Sequence, residues 1–407
     1  MSRALISLNA GSSSLKVALF AVADESPTRV VAGKLEGIGT APCLVLRDAD
    51  GSQIAERTWP QGAALTHEAL LQDLFGWLAG HLGGHEIIAA GHRVVHGGTR
   101  FAEPTLLDSE TMVALEALCP LAPLHQPHNL AAIRAVWAIA PDLPQIACFD
   151  TAFHRTLPAA ATRFALPRAF NDEGIRRYGF HGLSYEYLAR RLRALDPALA
   201  RGRVIAAHLG NGASLCAMQN GASCDTSMGF TALDGLVMGT RCGALDPGAV
   251  LHLIEHKRMS AAEVEQLLYA RSGLLGVSEV SSDMRALHQS SDPRAREAIA
   301  LFVWRAVREI GALAASLEGL DGIVFSAGIG ENDPVVRARI CERLTWLGVA
   351  LDEAANARNA PLISRPDSRV VVRVVPTDEE QMIALHVVET LSASRPACAP
   401  LASSDAV

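Results

Sequence analysis

Two arginines stand where burial would make their charge expensive. Arg93 lies in GHRVVHGG (91–98), between apolar residues and flanked by glycines. A guanidinium held there needs an anion, and its planar fork suits a carboxylate or a phosphoryl group; an internal Asp or Glu would satisfy it equally. Arg241 repeats the arrangement in MGTRCGALDPG (238–248). His181, in YGFHG (178–182), places an imidazole between glycines on an irregular segment, where it can donate to a developing oxyanion or serve only structure. His125 and His128, in PLAPLHQPH (120–128), read the same way. Asp150 closes the apolar stretch LPQIACFDT (143–151) and needs water, a metal or a cation beside it. A metal is the expected partner.

Glycine- and serine-rich turns supply a second kind of chemistry. Residues 3–22 read as a strand, a turn running from Asn9 to Ser14, and a second strand. Residues 203–219 repeat the plan, with a turn from Gly210 to Ser214. Both turns present backbone N–H groups unobstructed by bulky side chains and suit phosphate oxygens. Either alone is equally an ordinary hairpin turn; their pairing suggests an internal duplication. The only Gly-Lys pair, Gly33-Lys34, is followed by Leu35, so no P-loop is present, and no GxGxxG opens a helix after a first strand. The remaining nucleotide candidate is Gly328-Ile329-Gly330-Glu331-Asn332, at the end of the strand that begins at Ile323. A plain strand-to-helix turn would look the same.

The elements that must position these groups follow from periodicity. Helices are expected over 66–83, 128–140, 294–319 and 378–393, and strands over 143–151, 323–326 and 370–375. The helix at 294–319 leading into the 323–326 strand is the grammar of a parallel sheet. At 407 residues, with 49% hydrophobic and 19% charged residues, the chain is expected to fold as two or three domains. Its net charge is −7 and its 36 Lys and Arg are scattered, so no nucleic-acid partner is expected. MSRALISLNAGSSS has only a short apolar run, and no window approaches a membrane span, so a cytoplasmic protein is expected. Eight cysteines without a CxxC pair read as reduced thiols. His92 and His96 are four apart on an expected strand and turn, which does not give helical zinc-ligand geometry.

These segments together resemble the acetate kinases of the actin-like ATPase and sugar-kinase superfamily. The resemblance runs from Leu5 to about Leu391 through LISLNAGSSSLK (5–16), GHRVVHGG (91–98), PLAPLH (120–125), FDTAFH (149–154), YGFHGLSYEY (178–187), HLGNGAS (208–214), DTSMGFTALDGL (225–236), MGTRCGALDPG (238–248), SSDMR (281–285), AGIGEN (327–332) and PTDEE (376–380). It implies an α/β fold of two duplicated ribonuclease-H-like domains, 1–150 and 151–380, with the active site in the interdomain cleft. It further implies a final helix, 381–393, returning to the first domain, and a homodimer; residues 394–407 read as a disordered tail.

By the same resemblance, ATP and a divalent metal, Mg²⁺ with Mn²⁺ able to substitute, are expected, with Asn9 and Glu379 at metal-associated positions. Lys16 and the loop His208, Leu209, Gly210, Asn211, Gly212 match phosphate contacts, and Asp283, Met284, Arg285 with Gly328 to Asn332 match the nucleoside pocket. Arg93 matches the carboxylate-binding arginine, Asp150 the catalytic acid, and His181 and Arg241 the transition-state stabilisers. Val95, Leu124, Phe180 and Ala232 match a small pocket for the acyl methyl group. Most relatives carry Pro at 232, Ser is frequent at 242 and Asn at 378; here these are Ala232, Cys242 and Asp378. The first change is expected to enlarge the pocket and admit propionate, so a propionate kinase is the close alternative and a non-catalytic actin-like ATP switch a distant one. Because acetate is already ionised at neutral pH, no proton has to leave the nucleophile, and Asp150 is expected to hold magnesium or its water rather than act as a general base.

Overall fold

A computed structural model of the chain describes residues 2–11, 14–23, 26–38, 40–59, 65, 67–81 and 84–393. Ser12 and Ser13 of the first turn, and the expected tail 394–407, lie outside the described residues. Two sheets carry the architecture. The first comprises β1 (Ser2–Ala10), β2 (Ser14–Ala23), β3 (Ser26–Glu36), β4 (Cys43–Asp48), β5 (Gln53–Thr58), β6 (His85–Val94), β7 (Thr105–Leu106) and β8 (Gln145–Phe149), in the order β5-β4-β3-β2-β1-β6-β8-β7. The second comprises β9 (Arg203–Leu209), β10 (Ala213–Gln219), β11 (Ala222–Thr226), β12 (Gly322–Ser326) and β13 (Val371–Val374), in the order β11-β10-β9-β12-β13.

The duplication is visible in strand order. In both sheets consecutive antiparallel strands come first, β1 to β5 in one and β9 to β11 in the other, and two parallel ones follow: β6 pairs beside β1 and β8 beside β6, just as β12 pairs beside β9 and β13 beside β12. The reason lies in connection length. A tight turn can join only antiparallel neighbours, whereas a parallel neighbour needs a crossover. The helices His67–His81, Gln126–Ile139 and Pro293–Ser316 lie in those crossovers, close to their expected ranges.

Pro293–Ser316 starts at an Asp292 cap and turns its apolar face, including Phe302, Ile310 and Leu313, into the second core. The final helix, Glu379–Ala393, instead buries Met382, Ile383 and Val387 with Leu5, Phe20 and Ala89 of the first sheet. It can lie that close because Gly91 on β6 has no side chain: a Cβ there would stand 2.5 Å from Ile383 Cγ2 and 2.6 Å from Val387 Cγ2. Every described cysteine is free, and Cys398 lies outside the described residues. Among the described residues no helix is long and apolar enough to cross a membrane.

Candidate active site

A cleft of about 470 Å³ lies where residues of both sheets converge, and its lining includes Lys16, Arg93, Asp150, His181, Arg241 and Glu379. Arg93 is the next-to-last residue of β6, and Asp150 follows the end of β8, its neighbour in the sheet. The pairing of β6 with β8 therefore brings the two groups together. Arg93 Nε donates to both Asp150 carboxylate oxygens at 3.1 and 3.0 Å, and Nη2 donates to Oδ2 at 2.6 Å. A guanidinium thus stands beside Asp150 and meets the need of a 1% exposed acid for a positive neighbour. Arg93 Nη1 also donates to Asn9 Oδ1 at 3.1 Å, and Asn9 Nδ2 donates to Glu379 Oε2 at 2.8 Å. Since a guanidinium carries five N–H groups, one hydrogen on each terminal nitrogen of Arg93 remains for a further anion.

Burial pushes the Asp150 carboxyl above the ordinary carboxylate value, Arg93 pulls against that rise, and Glu379 adds to it. Glu379 also meets a burial penalty, but Arg93, His208, Lys16 and Asn9 together outweigh it and hold its carboxyl below the usual value. Lys16 Nζ lies 3.7 Å from Glu380, and its pKa is raised, chiefly by that carboxylate, against the opposing effect of burial.

Arg241 is different. Its Nη1 donates to the Ala232 carbonyl at 2.6 Å, and no carboxylate pairs with it among the described residues. Burial lowers its pKa to about 10; Tyr269 opposes the drop and the charge of Arg93 adds to it. The group remains a cation at neutral pH, in a place that an anion would stabilise. The tip between β9 and β10 explains where that anion could lie. A Cβ on Gly212 would stand 2.7 Å from Arg241 Nη2 and 3.2 Å from His181 Nε2, so the two donors converge on this bare stretch of backbone.

His181 adopts φ 57° at the N-cap of the helix Gly182–Leu195. Its Nδ1 is 2.7 Å from Ser214 Oγ, which is 2.5 Å from the Tyr185 hydroxyl, and its ring stacks on His208 at 4.2 Å. Burial first, then the charges of His208, Arg93, Arg241 and His154, push its pKa well below 6.5. It is a neutral ring at physiological pH. If Tyr185 donates to Ser214 and Ser214 to Nδ1, the proton of the imidazole is left on Nε2, facing Gly212. Sequence reasoning missed Ser214 and Tyr185 as its partners, although both stand inside quoted motifs. Their signal is a hydroxyl in a fully buried position, which requires a polar neighbour.

Val95, Phe180 and Ala232 form an apolar side of the cleft and also line a neighbouring recess of about 10 Å³, close to the least that one water occupies. Leu124 lines that recess rather than the cleft and is 41% exposed. The remaining candidates divide. His208, Gly210, Asn211, Gly212, Gly328 and Glu331 line the cleft, whereas Leu209 is fully buried in the core of the second sheet. Glu331 accepts from the backbone of Ala327 at 2.8 Å and of Thr377 at 3.1 Å, which ties AGIGEN to the start of PTDEE.

Asp283 caps the helix Met284–Gln289 and pairs with Arg285 at 2.8 Å on the surface, while Met284 packs into the core and Ile329 against it. That helix reaches the AGIGEN segment through His288 Nε2 and Asp333 Oδ2, 2.8 Å apart. Asn332 Nδ2 donates to the Gly328 carbonyl, and Gly330 accepts from the buried Arg337. The cleft also takes in His125, read from the sequence as either a donor or a structural histidine, and Ala327, Thr377 and Glu380, which were not among the site candidates; Glu380 follows Glu379 within PTDEE.

A two-domain α/β protein with a duplicated sheet and a cationic, partly apolar cleft between the halves belongs among the actin-like phosphotransferases. The comparisons narrow that class. The chain matches the acetokinase family over residues 4–385. It is 53% identical to an acetate kinase of Rhodopseudomonas palustris over 393 residues, 95% of this chain and 98% of that one. Among solved structures, an acetate kinase of Porphyromonas gingivalis superposes with TM-score 0.84 at 36% identity, covering 96% of this chain and 100% of that one. A propionate kinase of Francisella tularensis gives TM-score 0.87 at 36% identity, covering 95% and 99%. The chain belongs to the acetokinase family, whose members are kinases that transfer phosphate to a carboxylate.

The buried histidines predict how stability responds to acid. Burial lowers His92, His96, His154 and His208 from 6.5 to about 4, and His125 to about 3, with Arg241 and Arg93 adding to the last. Below pH 6.5 the unfolded chain takes up protons that the folded chain refuses. Their contribution is therefore complete above that pH and is lost as pH falls towards 4, by up to about 1.4 kcal/mol per pH unit for each histidine. Urea unfolding at pH 7 and pH 5 should show a clearly lower midpoint at pH 5; an unchanged midpoint would refute the neutral assignment.

Proposed function

We propose that the chain is an acetate kinase, catalysing reversible transfer of the γ-phosphoryl group of ATP to acetate to give acetyl phosphate and ADP. The observation that carries this reading is the convergence of Arg93 and Arg241 on one cleft, with Arg241 lacking a carboxylate partner among the described residues. Carboxylate and γ-phosphoryl are both anions, and fixed positive charge is what lets them meet. In this account the free N–H groups of Arg93 take the acetate carboxylate, and its methyl group rests on Val95, Phe180 and Ala232. A carboxylate oxygen attacks the γ-phosphorus as the bond to the ADP oxygen breaks, and the electron pair leaves with ADP. No proton changes hands.

Asp150, engaged by Arg93 and almost fully buried, orients the guanidinium and is not a base. His181 Nε2 and Arg241 meet the equatorial phosphoryl oxygens near Gly212. Lys16 and the β9–β10 tip face the nucleotide phosphates, with Gly328 and Glu331 at the nucleoside end. Asn9 and Glu379 offer hard oxygen donors suited to Mg²⁺ or Mn²⁺. Among the described residues no group of three or more His, Cys, Asp or Glu forms a metal cage, and one or two carboxylates completed by substrate phosphates is the usual magnesium arrangement. When bound, the metal neutralises phosphate charge. Acetate is favoured over larger acids because the recess behind Ala232 leaves so little room.

A cytoplasmic location, where ATP is held, and a homodimer complete the reading. The helix Pro247–Glu255 has no buried residue, and it exposes Leu251 at 56% and Ile254 at 39%, an apolar face that a second copy would cover. Light scattering is expected to give the mass of two chains, falling to one on Leu251→Glu. A single-chain mass for the unaltered protein would remove this part.

The activity is tested by trapping acyl phosphate with hydroxylamine in the presence of ATP and Mg²⁺. Acetate should give product with kcat/KM about 10- to 200-fold above propionate, the range one methylene commands in an apolar pocket, and butyrate should give less. Higher turnover with propionate would reassign the substrate, and no product with any acid would reject the kinase reading.

A further inference from the structure

Three consecutive acids open the final helix, and each faces a polar or cationic partner from a different strand of the first sheet. Glu380 faces Lys16 on β2, and Glu379 accepts from Asn9 on β1. Asp378, which precedes the helix, accepts two hydrogen bonds from Arg29 Nη2 on β3, one at each carboxylate oxygen. Of these partners only Arg29 lies away from the cleft lining and from the Arg93 network.

Its placement rests on a specific irregularity. Across β2 and β3, Leu19 pairs with Val31 but Phe20 pairs with Arg29, so Val30 is an extra residue in the ladder. Such a bulge re-aims the side chains beside it and commonly borders functional sites. Here Arg29 lies over the ring of the fully buried Phe20, its Cζ 5.5 Å from the centroid, and its guanidinium reaches Asp378.

Asp378 also does the work of a helix cap. Its Oδ1 accepts the Gln381 backbone N–H at 2.9 Å, its carbonyl accepts that of Met382 at 3.1 Å, and Gln381 Nε2 donates to the Pro27 carbonyl of β3 at 3.0 Å. The first turn of the helix is therefore tied to β3 at two points, and Glu379 lies, with Glu380, between those ties.

We infer that Arg29 is a positioning residue: by pinning the Asp378 cap to β3 it fixes the helix start so that Glu379 presents its carboxylate to the metal of the bound nucleotide. This rests on the kinase reading for the role of Glu379. An uncharged cap would need no such cation, because an asparagine oxygen accepts the same backbone hydrogen without leaving a half-buried charge unpaired. Arg29 and Asp378 therefore act as one unit. Losing Arg29 alone strands an anion beside Glu379 and frees the helix start to shift; losing both the guanidinium and the charge it answers does not.

The test compares R29M, D378N and R29M/D378N with the unaltered protein. Mn²⁺ binding in the presence of ADP is followed by electron paramagnetic resonance, the Mg²⁺ half-saturation is taken from the hydroxamate assay, and folding is followed by circular dichroism and Tm. R29M is expected to weaken Mn²⁺ binding and raise the Mg²⁺ half-saturation at least fivefold, while R29M/D378N matches D378N within twofold. Unchanged metal affinity in folded R29M, or a double variant at least fivefold weaker than D378N, would overturn the inference. Should R29M fail to fold, the comparison of the double variant with D378N decides by the same margins. If the unaltered protein forms no hydroxamate, the kinase reading fails, while Mn²⁺ binding still reads the coupling of Arg29 to Asp378.

Discussion

Everything in the cleft is arranged around keeping two guanidinium groups charged, close together and incompletely neutralised. Burying a cation costs several kcal/mol unless an anion attends it. Arg93 is relieved by a carboxylate of its own chain, Asp150, yet retains two N–H groups to offer. Among the described residues Arg241 is met by a carbonyl and by no carboxylate, and burial lowers its pKa, a penalty that an arriving anion would relieve. The histidines nearby are neutral for the same reason that the arginines are costly: low polarity and neighbouring positive charge disfavour another proton. The site thus answers anions with fixed charge and neutral donors, without a group that must itself gain or lose a proton.

The fold explains how residues so far apart in sequence come to share this field. Parallel pairing sets Arg93 beside Asp150 across β6 and β8, and the tight antiparallel turn between β9 and β10 brings bare backbone up to His181 and Arg241. The final helix closes the arrangement. It begins next to the end of the second sheet, carries Glu379 to Asn9, and buries its apolar face on the first sheet. Its start therefore links both halves of the molecule to one carboxylate.

Much of this was legible in the sequence because the relevant signals are local. The helices and strands of the two cores follow from periodicity, and Arg93 and Arg241 stand out through the cost of burying a charge between apolar or glycine neighbours. The duplicated hairpins were visible in the two matching turns, and sheet order bears the duplication out. The partner of Asp150 was not legible. An acid at a strand end announces that it needs positive charge, but whether a metal or an arginine supplies it depends on which strand lies alongside, a fact of sheet order and not of local pattern. The same holds for Asp283, Met284 and Arg285, whose motif marks a capped helix but does not say whether it reaches the cleft, whose lining takes in none of the three. The bulge that aims Arg29 at Asp378 leaves no trace in composition, since Val30 is as good a strand residue as its neighbours.

The most direct test of the central claim is the turnover of Arg241→Gln in acetyl phosphate formation, measured with saturating ATP and Mg²⁺ on protein whose circular dichroism and Tm match those of the unaltered chain. Loss of a charged donor aimed at the transferring phosphoryl group should lower kcat by roughly a hundredfold or more, with the KM for acetate changed only a few-fold. A kcat within threefold of the unaltered protein would show that the cleft does not work by fixed positive charge at this position.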